Sequence, residues 1–196
     1  MNYNYNAYPW GRWIKLGIAV LIVLILLVST VSTYNNLAAA DQKVKSNWSQ
    51  VENVMQRRAD VINNLVETVK GYVKHEEKVF GDIASARSIL MNGNADMQTK
   101  LEADKRISDA AKSVLLLVEN YPNLKANEQF GNLQMEIERS ENRVSIARRD
   151  FIGAVEAYNL KLARFPGNVF AKVLGFSEKD YFEASPESKE APKVKF

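Results

Sequence analysis

The feature that most constrains this chain is an uncharged, almost entirely apolar run of eighteen residues, Leu16 to Thr33. As a helix this run extends about 27 Å, close to the hydrocarbon thickness of a bilayer. Tyr8, Trp10 and Trp13 precede the run and Tyr34 follows it, so aromatic side chains stand at both ends, as they do at membrane interfaces. The run therefore predicts a single transmembrane helix near the N-terminus.

A cleaved signal peptide is the rival interpretation of the apolar run. Ala38-Ala39-Ala40 has the small-x-small form of a cleavage site. The run is nevertheless longer than the roughly 7–15 apolar residues of a secretory signal, and the site lies far from the apolar core. We therefore expect a retained anchor.

The basic residues around the run bear on its orientation. Arg12 and Lys15 precede it, and Lys43 and Lys45 follow it, so the count of basic residues is equal on the two sides. A short tail beside two cations favours a cytoplasmic N-terminus. The main domain is then expected outside the cytoplasm.

A second apolar pattern begins at Val44 and steps alternately by four and three residues as far as Leu90. This period of 3.5 residues predicts a helix that supercoils left-handedly with its partners. Only Arg58 and Glu76 interrupt the series, so we expect one long helix from the anchor to Leu90. Its members are Val44, Trp48, Val51, Met55, Arg58, Ile62, Leu65, Val69, Tyr72, Glu76, Val79, Ile83, Ala86 and Leu90.

Turn signals divide the rest of the chain into further helices. Asn94 or Asp96 is expected to cap the second helix, which Pro122 ends, and Asn127 is expected to cap the third. Pro166-Gly167 ends that third helix, and residues 169–176 predict a short fourth one.

These patterns predict an all-α protein in which a transmembrane helix precedes an antiparallel up-and-down bundle of three long helices and a short fourth. No stretch alternates with the period of two that strands require. The predicted segments are a tail with an aromatic belt at 1–15, a transmembrane helix at 16–34, a four-helix bundle at 35–176 and a flexible tail at 177–196.

Composition excludes several classes of function. Without Arg12 and Lys15 the chain has 24 basic and 23 acidic residues, interspersed, so no basic face for nucleic acid is expected. The absence of cysteine excludes disulfides, thiolate metal sites and cysteine nucleophiles. No phosphate-binding glycine motif occurs, and no cofactor or small-molecule substrate is indicated.

His75 is the one histidine of the chain, and with Glu76 it resembles the first half of a zinc-protease motif. That motif needs a second histidine at position 79, which is Val79 here. A structural role for His75 is therefore favoured over zinc chemistry, and a hydrolase that uses His75 is the weakest of the functional hypotheses.

Arg58 and Glu76 are charged residues within the apolar series. One interpretation is a buried polar layer that sets helix register, with Glu136, Glu141 or Arg148 as partners. The other, which the sequence favours, is that both long side chains reach solvent from the edge of the bundle.

The stretch from Gln56 to Glu76, QRRADVINNLVETVKGYVKHE, closely resembles the signature of the LemA family. Further motifs agree with that family in order along residues 34–182. They are Tyr34-Asn35-Asn36-Leu37, Trp48-Ser49, Ala86-Arg87, the run from Glu119 to Asn127, Phe130, Leu133-Gln134, Ala147-Arg148, Tyr158-Asn159, Phe165-Pro166, Gly175-Phe176 and Tyr181-Phe182.

Two positions depart from the family pattern. Asn63 stands where the family commonly has a proline, so any kink made there is expected to be absent. Phe151-Ile152 replaces a Tyr-Asn pair. The resemblance implies a bacterial single-pass membrane protein with an antiparallel four-helix bundle and no known catalytic activity. The family is often discussed beside a membrane zinc protease, and one branch serves the formation of internal bacterial membranes.

The functional hypothesis is a non-enzymatic, membrane-anchored interaction or scaffold module of the bacterial inner membrane, with its bundle on the extracytoplasmic side. Its expected partners are the lipid bilayer and either further copies of the chain or another membrane protein, such as a membrane protease. A membrane-shaping protein is the alternative. The candidate interaction or register positions are Arg57, Arg58, Asp60, Asn64, Lys70, His75 and Glu76.

Overall fold

The computed structural model of the protein describes residues 10–72 and 77–182. These residues form helices and their connections, and no strand occurs among them, so the predicted all-α class is confirmed. The helices are α1 (Trp10–Lys70), α2 (Glu77–Met91), α3 (Met97–Val118), α4 (Pro122–Lys125), α5 (Glu128–Ala163) and α6 (Gly167–Phe170).

The prediction of one helix from the anchor to Leu90 is wrong. α1 ends at Lys70, and a turn follows in which the Tyr72 amide donates to the Val69 carbonyl at 2.9 Å. Gly71 lies in this turn, and glycine is among the poorest helix formers. The apolar spacing is the same before and after the turn, so periodicity alone gave no sign of it.

The described chain divides into two units, of which the second comprises residues 45–153. Within it α2 runs antiparallel to α1. The Arg87 guanidinium donates to the Asp60 carboxylate at 2.9 Å, and the Gln56 amide donates to the Leu90 carbonyl at 3.3 Å. Residue numbers therefore increase along α1 in the direction in which they decrease along α2.

α5 is also antiparallel to α1 in this unit. The Asn47 amide donates to the Asp150 carbonyl at 2.9 Å, whereas Arg58, eleven residues further along α1, pairs with Glu141, which precedes Asp150 on α5. The Trp48 and Phe151 rings also lie edge to face at 5.6 Å between centroids. α3 runs parallel to α1, as the contacts of the ion pairs described below show. The bundle is therefore up-and-down, as predicted, but its four helices are α1, α2, α3 and α5.

Two of the predicted N-cap residues form capping hydrogen bonds. Asp96 accepts a hydrogen bond from the Thr99 amide at 2.9 Å and so begins α3. Asn127 accepts one from the Gln129 amide at 2.8 Å and begins α5. Each side chain satisfies a backbone donor that the first helical turn leaves unpaired.

The first unit comprises residues 1–44 and 154–196, of which 10–44 and 154–182 are described. α1 buries Leu37, Ala40 and Val44 here, and α5 buries Val155, Tyr158 and Leu162. Phe165 follows the end of α5 at Ala163 and is exposed.

The prediction of a flexible tail from Ser177 does not describe its first residues. The Tyr158 hydroxyl donates to the Ser177 carbonyl at 2.9 Å, and the Asn159 amide exchanges two hydrogen bonds with the Lys179 backbone at 2.8 and 3.0 Å. The Lys179 ammonium lies 2.7 Å from the Asp41 carboxylate. These contacts hold the segment from Ser177 to Lys179 to α1 and α5 within the first unit.

Tyr158 gives this attachment a dependence on pH. Burial raises the pKa of its phenol, and the negative charge of Asp41 raises it further. A tyrosine pKa above its ordinary value of about 10 means that the neutral phenol is favoured in the folded state. The resulting stability is complete below about pH 10 and is lost as the pH rises through the raised pKa.

We predict that Tyr158→Phe lowers the free energy of unfolding at neutral pH by about 0.5–1.5 kcal/mol, the worth of one hydrogen bond. Above about pH 10 the wild-type protein is expected to lose this advantage, so the free energies of unfolding of wild type and variant converge. Urea unfolding of the full chain in detergent, followed by circular dichroism across that range, measures the difference. A constant difference at all pH values would show that Tyr158 does not titrate as described.

Candidate functional site: a buried ion-pair network

Arg58 lies in the core of the second unit. α1 places it on the same face as Met55 and Ile62, and its side chain is only 2 % exposed. The favoured interpretation, in which Arg58 reaches solvent from the edge of the bundle, is therefore wrong for this residue. Because burying an unpaired charge is costly, the side chain needs partners.

Asp104 of α3 is the main partner of Arg58. The two side chains form an ion pair, and the Arg58 guanidinium also donates to the Asp104 carbonyl oxygen at 3.1 Å. Asp104 is 1 % exposed, and its second carboxylate oxygen accepts from the Arg148 guanidinium of α5 at 2.7 Å. One buried carboxylate is thus shared by arginines from two helices.

Glu141 of α5 completes the network through an ion pair with the other terminal nitrogen of Arg58. The charges then alternate in the order Glu141, Arg58, Asp104 and Arg148, and they sum to zero. Glu141 is 61 % exposed and Arg148 is half-exposed, so the network runs from the core to the bundle surface. Three helices, α1, α3 and α5, contribute to it.

Burial raises the pKa of the Asp104 carboxyl, and the positive charges of Arg58 and Arg148 oppose this shift. The carboxylate form therefore depends on the two arginines, since desolvation alone favours the protonated acid.

A second ion pair lies on the same two helices. Lys100 of α3 is buried and contacts the half-buried carboxylate of Glu52 on α1. Glu52 precedes Arg58 by six residues, about 9 Å along the helix axis, and Lys100 precedes Asp104 by four. Both pairs therefore join α1 to α3 in one parallel register.

The arrangement positions helices through its charged groups, while the Nε atoms of Arg58 and Arg148 have no hydrogen-bond partner. Both Asp104 oxygens face arginines, and the Glu141 carboxylate faces Arg58 with the Ser108 hydroxyl 3.5 Å away. Among the described residues no group of three His, Cys, Asp or Glu side chains is placed to hold a metal ion. A wrong helix register would leave buried charges without partners, which is how such pairs select one packing.

The structure places the other candidate positions as follows. Arg57, Asp60, Asn64 and Lys70 are exposed, with Asp60 paired to Arg87 and Lys70 paired to Glu67 at 2.7 Å. His75 and Glu76 lie outside the described residues. These positions do not form one cluster, and their role in binding a partner stays a prediction.

Two of the three predicted partners of Arg58 belong to the network, Glu141 directly and Arg148 through Asp104, whereas Glu136 is exposed elsewhere on α5. Sequence reasoning missed Asp104 and Lys100. For Asp104 the signal was the absence of a large apolar residue in α3 between Leu101 and Ile107, where Ala103 and Asp104 are buried. Lys100 precedes Leu101, and the spacing gave no signal for it.

The N-terminal part of α1 has a different character. Residues 11–28 are all exposed, although most of them are large and apolar. Among the described residues α1 is the one helix that is long and apolar enough to cross a membrane. The fold and this helix define a class, that of helical-bundle proteins with one candidate N-terminal membrane span.

The chain belongs to the LemA family, whose model matches residues 47–196, and the resemblance seen in the sequence is thereby confirmed. It is similar to magnetosome protein MamQ 2 of Paramagnetospirillum magneticum, at 24 % identity over 86 % of this chain and 71 % of the relative. Magnetosome protein MamQ of Magnetospirillum gryphiswaldense is 23 % identical over 88 % of this chain and 73 % of its own length. Protein LemA of Metamycoplasma hominis is 24 % identical, with 85 % and 76 % covered.

We predict that Arg58→Met and Asp104→Leu each destabilise the protein by about 3–5 kcal/mol, because each leaves buried charge without its partner. The double variant is expected to lie closer to wild type than either single variant, since Glu141 and Arg148 can both reach solvent. Urea unfolding of the full chain in detergent provides the double-mutant cycle.

The matched control is Asp60→Asn, which breaks the exposed pair with Arg87. A change within about 1 kcal/mol is expected there. Strictly additive losses at positions 58 and 104 would mean that the two residues do not act as a unit.

Proposed function

We propose that this protein is a membrane-anchored, non-enzymatic interaction module of the bacterial inner membrane. One observation carries the proposal. α1 is a single uninterrupted helix that contains the exposed apolar run and also supplies core residues to the bundle, among them Val51, Met55 and Leu65. Anchor and bundle therefore belong to the same helix, which attaches the bundle to the membrane.

Burial at the end of the apolar run and just beyond it supports a retained anchor. Thr33 and Leu37 are buried within the first unit, and both precede the possible cleavage site at residues 38–40. Cleavage there would remove side chains from the packed part of the protein. The exposed apolar surface of residues 16–28 would also be unfavourable in water.

The exposed side of α1 is the surface we assign to a partner. Arg57 and Asn64 are both exposed and stand seven residues apart, so they lie on one stripe of the helix. The buried charges of this unit, by contrast, are used within the bundle. We propose that this stripe contacts a second copy of the chain or another membrane protein, and that the bundle lies on the extracytoplasmic side.

We predict that a photo-crosslinking amino acid at position 57 or 64 captures a defined partner when the full chain is irradiated in native membranes. Ser113, exposed on α3, is the matched control position and is expected to give less product. Mass spectrometry distinguishes a second copy from a foreign membrane protein, and either result supports the proposal. Equal or absent capture at all three positions would contradict it.

Membrane shaping is the second candidate function. The observation that favours it is the similarity, over 86 % of this chain, to relatives named magnetosome proteins. If the chain shapes membranes, its overproduction is expected to change bilayer curvature in electron tomograms, while a variant without residues 1–34 has no effect. Unchanged curvature at high copy number would set this candidate aside.

A further inference from the structure

The chain turns between the end of α5 at Ala163 and α6, and we call residues 162–173 the α5–α6 corner. This corner exposes apolar side chains that the first unit does not bury. Phe165 is 81 % exposed, Val169 is 56 % exposed and Val173 is 85 % exposed. They follow one another at intervals of four residues. Neighbouring residues of the same segment, Leu162, Gly167 and Ala171, are buried, so the corner itself is packed while these three side chains project from it.

The corner has a defined shape. Gly167 lies so close to the end of α5 that a β-carbon there would be 2.1 Å from the Lys161 carbonyl oxygen. The backbone therefore approaches within a distance that only glycine permits. The projecting side chains are held on a fixed turn of the chain.

The charge of this segment has one sign. Residues 157–177 contain Lys161, Arg164 and Lys172, all exposed, and no acidic residue. Apolar side chains interleaved with basic ones are the composition of surfaces that lie in the interface of an anionic bilayer.

The corner stands beside the end of the apolar run. The Lys161 ammonium lies 3.5 Å from the Asn36 carbonyl oxygen, and the Phe176 and Tyr34 rings lie 5.8 Å apart between centroids. Asn36 and Tyr34 immediately follow the run, which ends at Thr33. Phe165 comes four residues after Lys161 in the sequence.

The folded part of the unit also covers the last turn of the apolar run. Residues 11–28 are exposed, whereas Ser29 and Thr30 are half-buried and Thr33 is buried. The distance from Ser29 to Thr33 is about 6 Å along the helix, comparable to the 5–10 Å depth of interfacial insertion. The Thr30 and Thr33 hydroxyls donate to the Leu26 and Ser29 carbonyls at 2.8 and 2.7 Å, which suits a poorly hydrated setting.

We infer that the α5–α6 corner is a second membrane-contact site, at which Phe165, Val169 and Val173 insert into the bilayer interface and Arg164 and Lys172 bind anionic lipid headgroups. The inference rests on the proposed anchor, since the same bilayer receives both. It assigns to the first unit a lipid-binding surface besides the apolar run.

The absence of cysteine in the chain allows a direct test with single labels. We predict that an environment-sensitive fluorophore on Val173→Cys is quenched by lipids that carry a nitroxide near the headgroup, when the full chain is reconstituted into phosphatidylcholine vesicles with about 30 mol % phosphatidylglycerol. Leu116→Cys, an exposed apolar position on α3, is the matched control and is expected to respond only to aqueous quenchers.

Val20→Cys, within the apolar run, separates the two proposals. If the label at 20 is quenched by nitroxides deep in the bilayer and the label at 173 behaves like that at 116, the second contact is refuted and the anchor stands. If the label at 20 is not quenched, the anchor fails and this inference fails with it.

The charge of the site is tested separately. Quenching at 173 is expected to be at least about two-fold stronger in the anionic vesicles than in pure phosphatidylcholine, and Arg164→Gln with Lys172→Gln is expected to abolish that difference. Equal quenching in both vesicles would refute the role of anionic headgroups. Unchanged circular dichroism of the labelled variants confirms that each comparison is made on folded protein.

Discussion

The ion pair between Arg58 and Asp104 is the interaction on which the packing of the bundle depends. Both side chains are buried, so α1 and α3 must pack in the register that brings Arg58 and Asp104 into contact. Arg148 and Glu141 extend the constraint to α5. Apolar seams with a period of 3.5 residues tolerate a shift by one heptad, whereas a buried arginine does not, because the shift would leave its charge unpaired.

The helices of this protein were largely predictable, and their connections were less so. The length of the apolar run, the regular spacing after Val44 and the caps at Asp96 and Asn127 are local properties, each decided by residues within a few positions. The turn after Lys70 is different, because the same spacing serves one long helix or two shorter ones that fold back. Only Gly71 distinguished these cases, and a single glycine within a helix is common enough to be read either way.

The sequence indicated that Arg58 is unusual, but it did not predict the ion-pair network that Arg58 forms. A charge among apolar positions identified Arg58, and two of its three proposed partners belong to the network. The decision between a buried layer and a solvent-reaching edge required the third helix, since Asp104 contributes a carboxylate whose burial the α3 spacing shows only as a gap. Apolar periodicity reveals where side chains are buried, but the pairing of charges across helices depends on the register that those pairs themselves select.

In the first unit, the end of the apolar run on α1 and the end of α5 lie together. Tyr34 and Asn36 mark the point at which the apolar run gives way to polar sequence, and the packed end of α5 lies against them. Because the unit covers α1 as far as Ser29, its outer surface there must be compatible with the setting of the run. Phe165 and Val173 project from it, and the exposed basic residues Arg164 and Lys172 lie beside them in the sequence. This combination of side chains is stable at the level where hydrocarbon meets charged headgroups, which is the level at which the inferred membrane contact places it.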